Sequence, residues 1–294
     1  VQTTVGNLHP QFVMILVTSM EFNSILKKAP NLDLSCLRIL LNTRMLKTRI
    51  IPTLLWKNMG LVKGVGFDSW RRVGSIMPSI KVYNTRDVDE LIIVDITAST
   101  EYQNIDYNEI SHFSAECFVP LTIGGGINSL VQIKQLLRSG ADKVAINSAL
   151  FEDIDLLNKA SLHFGAQCIV ASVDVKYHDD TYTCFSHAGT KPTGKDPIQW
   201  VKQLEEEGAG EILLTSIERD GTMESYDLDL ISKVSEAVRI PVIASGGAGN
   251  YQHMLEAIHA GANAVAAASI FHFTEQTPRE AKKYLSKNGI NVRN

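Results

Sequence analysis

GADKVAINS, residues 140–148, returns as GANAVAAAS at residues 261–269. Two other stretches behave the same way: TIGGGI (122–127) answers ASGGAG (244–249), and DELIIVD (89–95) answers GEILLTS (210–216). Matching positions keep one spacing, for Glu211 follows Glu90, Gly246 follows Gly125 and Ser269 follows Ser148 by 121 residues each. Such a chain is built from two similar halves.

Around these repeats, short β-branched runs alternate with amphipathic segments. Strands are expected at 49–55, 90–95, 120–123, 143–146, 168–174, 211–216, 241–244 and 264–267. Helical spacing of apolar residues marks 129–139, 154–164, 197–207 and 252–260. One helix between successive strands requires parallel pairing through crossovers. Eight strands in about 250 residues fit either a closed (β/α)8 barrel or a doubly wound sheet. Two similar half-units of four strands close naturally into a barrel, whereas an open sheet gives no reason for the symmetry. The expected fold is therefore a TIM barrel of two half-barrels over residues 45–294. Residues 1–44 lack a clear period and read as an N-terminal extension, either disordered or an artefact of the start site.

In such barrels the loops after the strands carry the chemistry, and glycine turns bring backbone N–H groups close to phosphate. Gly124, Gly125 and Gly126 follow the third strand, and Asn147 and Ser148 follow the fourth. The second half repeats this with Ser245, Gly246 and Gly247, then Ala268 and Ser269. A lone glycine pair would only make a tight turn. Two pairs at a fixed offset point to an elongated ligand with a phosphate at each end.

Asp174 closes the strand VASVD and should face the same mouth, as a general acid/base or as a structural partner of Lys176. Asp95 lies at another strand end, and Asp220-Gly221 forms a turn that could hold the second phosphate. Lys63, in a loop after the first strand, either covers a phosphate or a developing negative charge or is a solvated lysine. At the opposite barrel end, strands begin on Arg49, Glu90, Lys143 and Glu211. Two positive and two negative charges can neutralise one another as a ring that plugs the barrel, and a plug that opens is a gate.

Bulk composition narrows the classes. The chain has 294 residues, is 45% hydrophobic and 20% charged, and carries a net charge of −4, so nothing draws it to nucleic acid or to an anionic membrane. No apolar run approaches the roughly 18 residues of a membrane span. Cys36, Cys117, Cys168 and Cys184 are scattered without a CxxC pair, which argues against a zinc site or a disulfide framework and for a reducing cytoplasm. No metal, nucleotide-binding fingerprint or covalent nucleophile is evident, so no cofactor is expected.

RIIP, DELIIVDITAS, IGGGI, GADKVAINS, GAGEILLTSIERDGT, IASGGAG and AAASIFHF resemble the HisF family, the cyclase subunits of imidazole glycerol phosphate synthase, from Met45 to the end of the chain. The resemblance implies a heterodimer with a HisH-like glutaminase, which releases ammonia from glutamine. Ammonia passes through the barrel to a bisphosphate on the far face, where lyase and cyclisation chemistry of histidine biosynthesis follows. It implies an ammonia gate at Arg49, Glu90, Lys143 and Glu211, and a partner face that includes Asp142 and Arg293. One phosphate would sit near Gly126, Asn147 and Ser148. The other would sit near Asp220, Gly221, Gly246, Gly247, Ala268 and Ser269, with Lys63 touching substrate.

Asp174 matches one of two essential aspartates in that family. The other position is Leu55. The family's acid-proline after the first loop is also absent, with Gly74-Ser75-Ile76 in its place. PTLLWKNMGLVK (52–63) resembles a second branch of HisF-like proteins, which deliver ammonia to a separate sugar-modifying enzyme that forms acetamidino sugars for surface polysaccharides. Three readings follow: a cyclase subunit in which Asp174 or a neighbouring acid covers for Leu55, an ammonia-delivering subunit for sugar amidination, and a non-catalytic barrel that only binds a glutaminase.

Overall fold

The structure, a computed structural model, describes residues 47–57, 60–98 and 105–293. The expected extension over residues 1–44 and the expected barrel start at Met45 lie outside these. Twelve strands are present in chain order: β1 (Arg49–Lys57), β2 (Gly60–Val65), β3 (Asp68–Gly74), β4 (Leu91–Asp95), β5 (Leu121–Gly124), β6 (Lys143–Ile146), β7 (Ile169–His178), β8 (Thr181–Ser186), β9 (Lys191–Pro192), β10 (Glu211–Ser216), β11 (Val242–Ser245) and β12 (Ala264–Ala267). Parallel neighbours run β10-β11-β12-β1-β4-β5-β6-β7, and β7 pairs with β10 to close the ring. The (β/α)8 barrel is therefore as expected, and its eight strands are the eight expected runs, three with identical bounds and the rest with ends shifted by at most four residues.

Helices α1 (Ile76–Asn84), α2 (Tyr107–Glu116), α3 (Leu130–Arg138), α4 (Ser148–Glu152), α5 (Asp155–Phe164), α6 (Pro197–Glu206), α7 (Leu228–Ala237), α8 (Tyr251–His259), α9 (Ser269–Phe273) and α10 (Pro278–Lys287) surround the barrel. Their starts are written in the sequence. Asp106, Ser129, Asp196, Asp227, Asn250 and Thr277 each accept backbone N–H bonds as N-caps. Their apolar faces pack on the outside of the sheet, where Trp200, Ile80 and Ile133 are wholly or almost wholly buried. The halves repeat as elements too: β5 and β11, β6 and β12, α2 and α7, α3 and α8, and α4 and α9 start and end 121 residues apart.

Two hairpins were not expected. The first strand runs on to Lys57 and folds back as β2 and β3, and β7 runs past Asp174 to His178 and folds back as β8 and β9. Lys63 thus lies on a strand, not in a loop. Inside the barrel, Ile51, Ile92, Ala145, Val170, Leu213, Ile243, Ala264 and Ala266 form a packed apolar core, with half-buried Val94 against it. It separates the two barrel ends. Among the described residues no helix is long and apolar enough to cross a membrane.

Candidate functional site

At the strand C-termini a cleft of about 340 Å³ lies above this core. Both glycine turns reach it. A Cβ on Gly125 would lie 2.2 Å from the Asp95 carbonyl oxygen, and one on Gly246 would lie 2.6 Å from that of Ser216. Those contacts, with φ of 110° and 91°, leave room only for glycine at both equivalent turns. Gly126, Asn147 and Ser148 line one side of the cleft, and Gly221, Gly246, Gly247, Ala268 and Ser269 line the other. The hydroxyls of Thr53 and Ser269 are buried there without a protein partner, as polar atoms awaiting a ligand or water are.

Asp174 is 8% exposed on the cleft wall. Burial pushes its carboxyl up to about 7, with further upward pressure from Asp220, against hydrogen bonds from Asn147 and Thr215 that favour the ion. Asn147 Nδ2 donates to Asp174 Oδ2 at 2.6 Å. A carboxyl poised near neutrality can both take and give a proton. Lys176 is not its partner. That ammonium donates to the Gly189 carbonyl at 3.2 Å and stands over the Phe185 ring. Lys63, 3% exposed, is no solvated lysine either, since its Nζ meets Asp220 Oδ2 at 2.5 Å on the cleft wall.

Strand register identifies the position facing these groups. Leu55 pairs with Val94 and Asp174 pairs with Thr215, and Val94 and Thr215 are themselves 121 residues apart on the matching strands β4 and β10. Leu55 therefore holds the place in the first half that Asp174 holds in the second, and it too lines the cleft. Asp95, the other nearby acid, uses Oδ1 to accept from Thr97 N–H at 2.9 Å, Thr97 Oγ1 at 2.7 Å and Ala98 N–H at 3.2 Å. That oxygen is committed to the turn after β4.

The hairpins bring in residues that sequence reasoning missed: Phe67 and Trp70 from β2–β3, and His187 from the turn after β8. Gly66 N–H donates to the Asp220 carbonyl at 2.8 Å, and His187 N–H donates to Ser148 Oγ at 2.9 Å, so each hairpin turn leans on the rim. The signal was there in GVGFDSW and SHAG, where aromatic residues sit among glycines in the longest gaps between a strand and its helix. Gly74 ends β3, and Ser75, in extended conformation and with no side-chain capping bond, leads directly into α1 where the acid-proline is absent.

At the other end the four strand-initial charges form a closed ring. Arg49 meets Glu90 at 2.8 Å and Glu211 at 2.9 Å, and Lys143 meets the same two acids at 3.0 and 3.1 Å. Asp142 and Arg293 are exposed at this end, Asp142 accepting from Leu121 N–H at 2.8 Å. No group of three or more metal-ligating side chains occurs among the described residues.

A family profile described as "Histidine biosynthesis protein" matches residues 49–277. Proteins named imidazole glycerol phosphate synthase subunit HisF from Pelodictyon phaeoclathratiforme, Chlorobium limicola and Chloroherpeton thalassium are each 45% identical over 250 residues, covering 85% of this chain and all of theirs. A closed barrel with a twofold internal repeat, together with identity of that extent along the whole barrel, has one consequence: the chain belongs to the HisF family of histidine-biosynthesis proteins.

Proposed function

We propose that this barrel is an ammonia-accepting synthase subunit of the HisF type. In this reading a HisH-like glutaminase docks at the ring end, near Asp142 and Arg293, and ammonia enters through Arg49, Glu90, Lys143 and Glu211. It reaches a bisphosphate held by the two glycine turns. One observation carries the reading: a charge ring and a glycine-lined cleft lie at opposite ends of a single apolar barrel core. A neutral molecule can cross such a core far more cheaply than an ion can.

Asp174 is the proton-transfer group. Its ionised form accepts a proton from the attacking ammonia or the substrate, and its neutral form returns one to a leaving oxygen or nitrogen. Lys63, charged and paired with Asp220, lies where the second phosphate would sit. The test is turnover of the imidazole-pathway bisphosphate by the purified chain, with ammonium alone and with glutamine plus a HisH-type partner. Turnover abolished by Asp174→Asn supports the reading. No turnover from either nitrogen source, with no heterodimer on gel filtration at micromolar concentration, would sink it.

Leu55 favours a second reading, delivery of ammonia to a sugar-modifying enzyme that makes an acetamidino sugar. Delivery uses the ring and the barrel interior but needs no pair of opposed carboxylates. In that case Asp174→Asn leaves glutamine-driven amidination by the acceptor enzyme largely intact, and the bisphosphate is not consumed.

A further inference from the structure

Asn147 opens the short helix α4, beside the first glycine turn, where an amide side chain would be expected to grip a bound anion. Its geometry says otherwise. The side chain makes no capping bond to its own helix. Its Nδ2 instead reaches across to the neighbouring strand and donates to Asp174 Oδ2 at 2.6 Å, while its Oδ1 is buried with no protein partner. An amide that leaves its own acceptor unpaired has been oriented by the stronger partner, here a carboxylate. Turned over, the amide would present its carbonyl oxygen to the ion.

The internal repeat supplies a control within the molecule. Ala268 is the counterpart of Asn147, 121 residues on, with nearly the same backbone: φ −124° and ψ −66° against −122° and −86°. The second glycine turn therefore keeps its shape with no polar side chain at that point. The difference between the halves tracks the acid, because Asp174 adjoins the Asn147 side and not the Ala268 side.

We infer that the Asn147 side chain is a positioning residue for Asp174 rather than a ligand of the anion, fixing that carboxyl in one rotamer through its hydrogen bond. The inference rests on Asp174 being the proton-transfer group proposed above. The other groups that bear on Asp174 are Thr215 on β10, which donates a hydrogen bond, Asp220 with its partner Lys63, and the Cys184 thiol on the hairpin strand β8. Leu55, at the equivalent register on β1, contributes no charge. Removing the Asn147 donor thus leaves Asp174 with one hydrogen bond and a nearby like charge.

The test reads the carboxyl directly. The full chain is labelled with carboxyl-13C aspartate, and the Asp174 signal is assigned by its loss in Asp174→Asn. In Asn147→Ala the titration of Asp174 should move upward by about one to two pH units, the equivalent of one charge-assisted hydrogen bond. Asn147→Asp, of the same shape but adding a second carboxylate, should move it further still. Affinity for inorganic phosphate, measured by calorimetry, should stay within about threefold of wild type in Asn147→Ala, a loss smaller than one hydrogen bond commonly causes. An Asp174 titration that does not move in either variant overturns the inference, as does a tenfold loss of phosphate affinity in Asn147→Ala. Failure of the underlying reading looks different: Asp174→Asn would then turn over the bisphosphate like wild type, while the Asn147 titration shifts remained.

Discussion

Leu55 and Asp174 occupy equivalent places on opposite halves of the cleft, and only one of them can carry a proton. Losing a proton-transfer group commonly costs about 10²–10⁴ in rate. The wild-type chain should therefore turn over the bisphosphate slowly with ammonium, and Leu55→Asp should recover at least tenfold in a single-turnover assay. Asp174 also leaves a signature in stability. Its folded pKa of about 7 lies above the ordinary aspartate value of 3.8, so between those values the folded state holds a proton that the unfolded chain has released. The stability from this neutral carboxyl is complete below about pH 4 and is lost as pH rises through 7. Thermal melts of Asp174→Asn should therefore gain on wild type from pH 5 to pH 8, by a few degrees at most. A gap that is constant across that range would mean the carboxyl is not buried in its neutral form. The aspartate itself was legible, because VASVD ends an apolar run with an acid. Its raised pKa was not, since that depends on burial and on Asn147, Thr215 and Asp220, which the fold gathers from separate strands.

At the level of elements, the barrel strands and helices were legible because burial gives each a period, and the constant spacing of 121 residues ties them together. The two hairpins escaped because KGVGFDSWRRVG alternates poorly and carries glycines. Five of the seven residues in β3 have an exposed or half-exposed environment with no apolar side chain to mark a face. Their docking is nonetheless tight. Gly221, at φ 81°, would place a Cβ 2.3 Å from the Gly64 carbonyl oxygen. Gly221→Ala should therefore push β2 and β3 off the turn at 220–222, with a stability loss of roughly 1–3 kcal/mol from backbone strain and crowding. Urea unfolding measures that loss. The same variant should shift Trp70 emission to the red, because Trp70 now lines the cleft only while the hairpin is seated.

The barrel as a whole has a polar cleft at one end, a balanced ring at the other and an apolar sleeve between. The ring side chains are 6–14% exposed, so removing one charge leaves a partly buried neighbour uncompensated. Lys143→Met should cost about 3 kcal/mol, the low end for a broken buried pair because water still touches the ring. Adding Glu90→Gln restores the balance of Arg49 against Glu211 and should return much of the loss in a double-mutant cycle. Full additivity of the two single effects would show that the four charges act independently and form no ring in solution.

The sleeve has a further consequence. Ile51, Ile92, Ala145, Val170, Leu213, Ile243, Ala264 and Ala266 offer no side-chain atom that donates or accepts a hydrogen bond. A proton moves along chains of hydrogen-bonded groups, and here those side chains supply none. This apolar layer thus offers protons no side-chain relay between the ring and the cleft. In the proposed reading, a neutral base that crossed it would reach the cleft with its lone pair free.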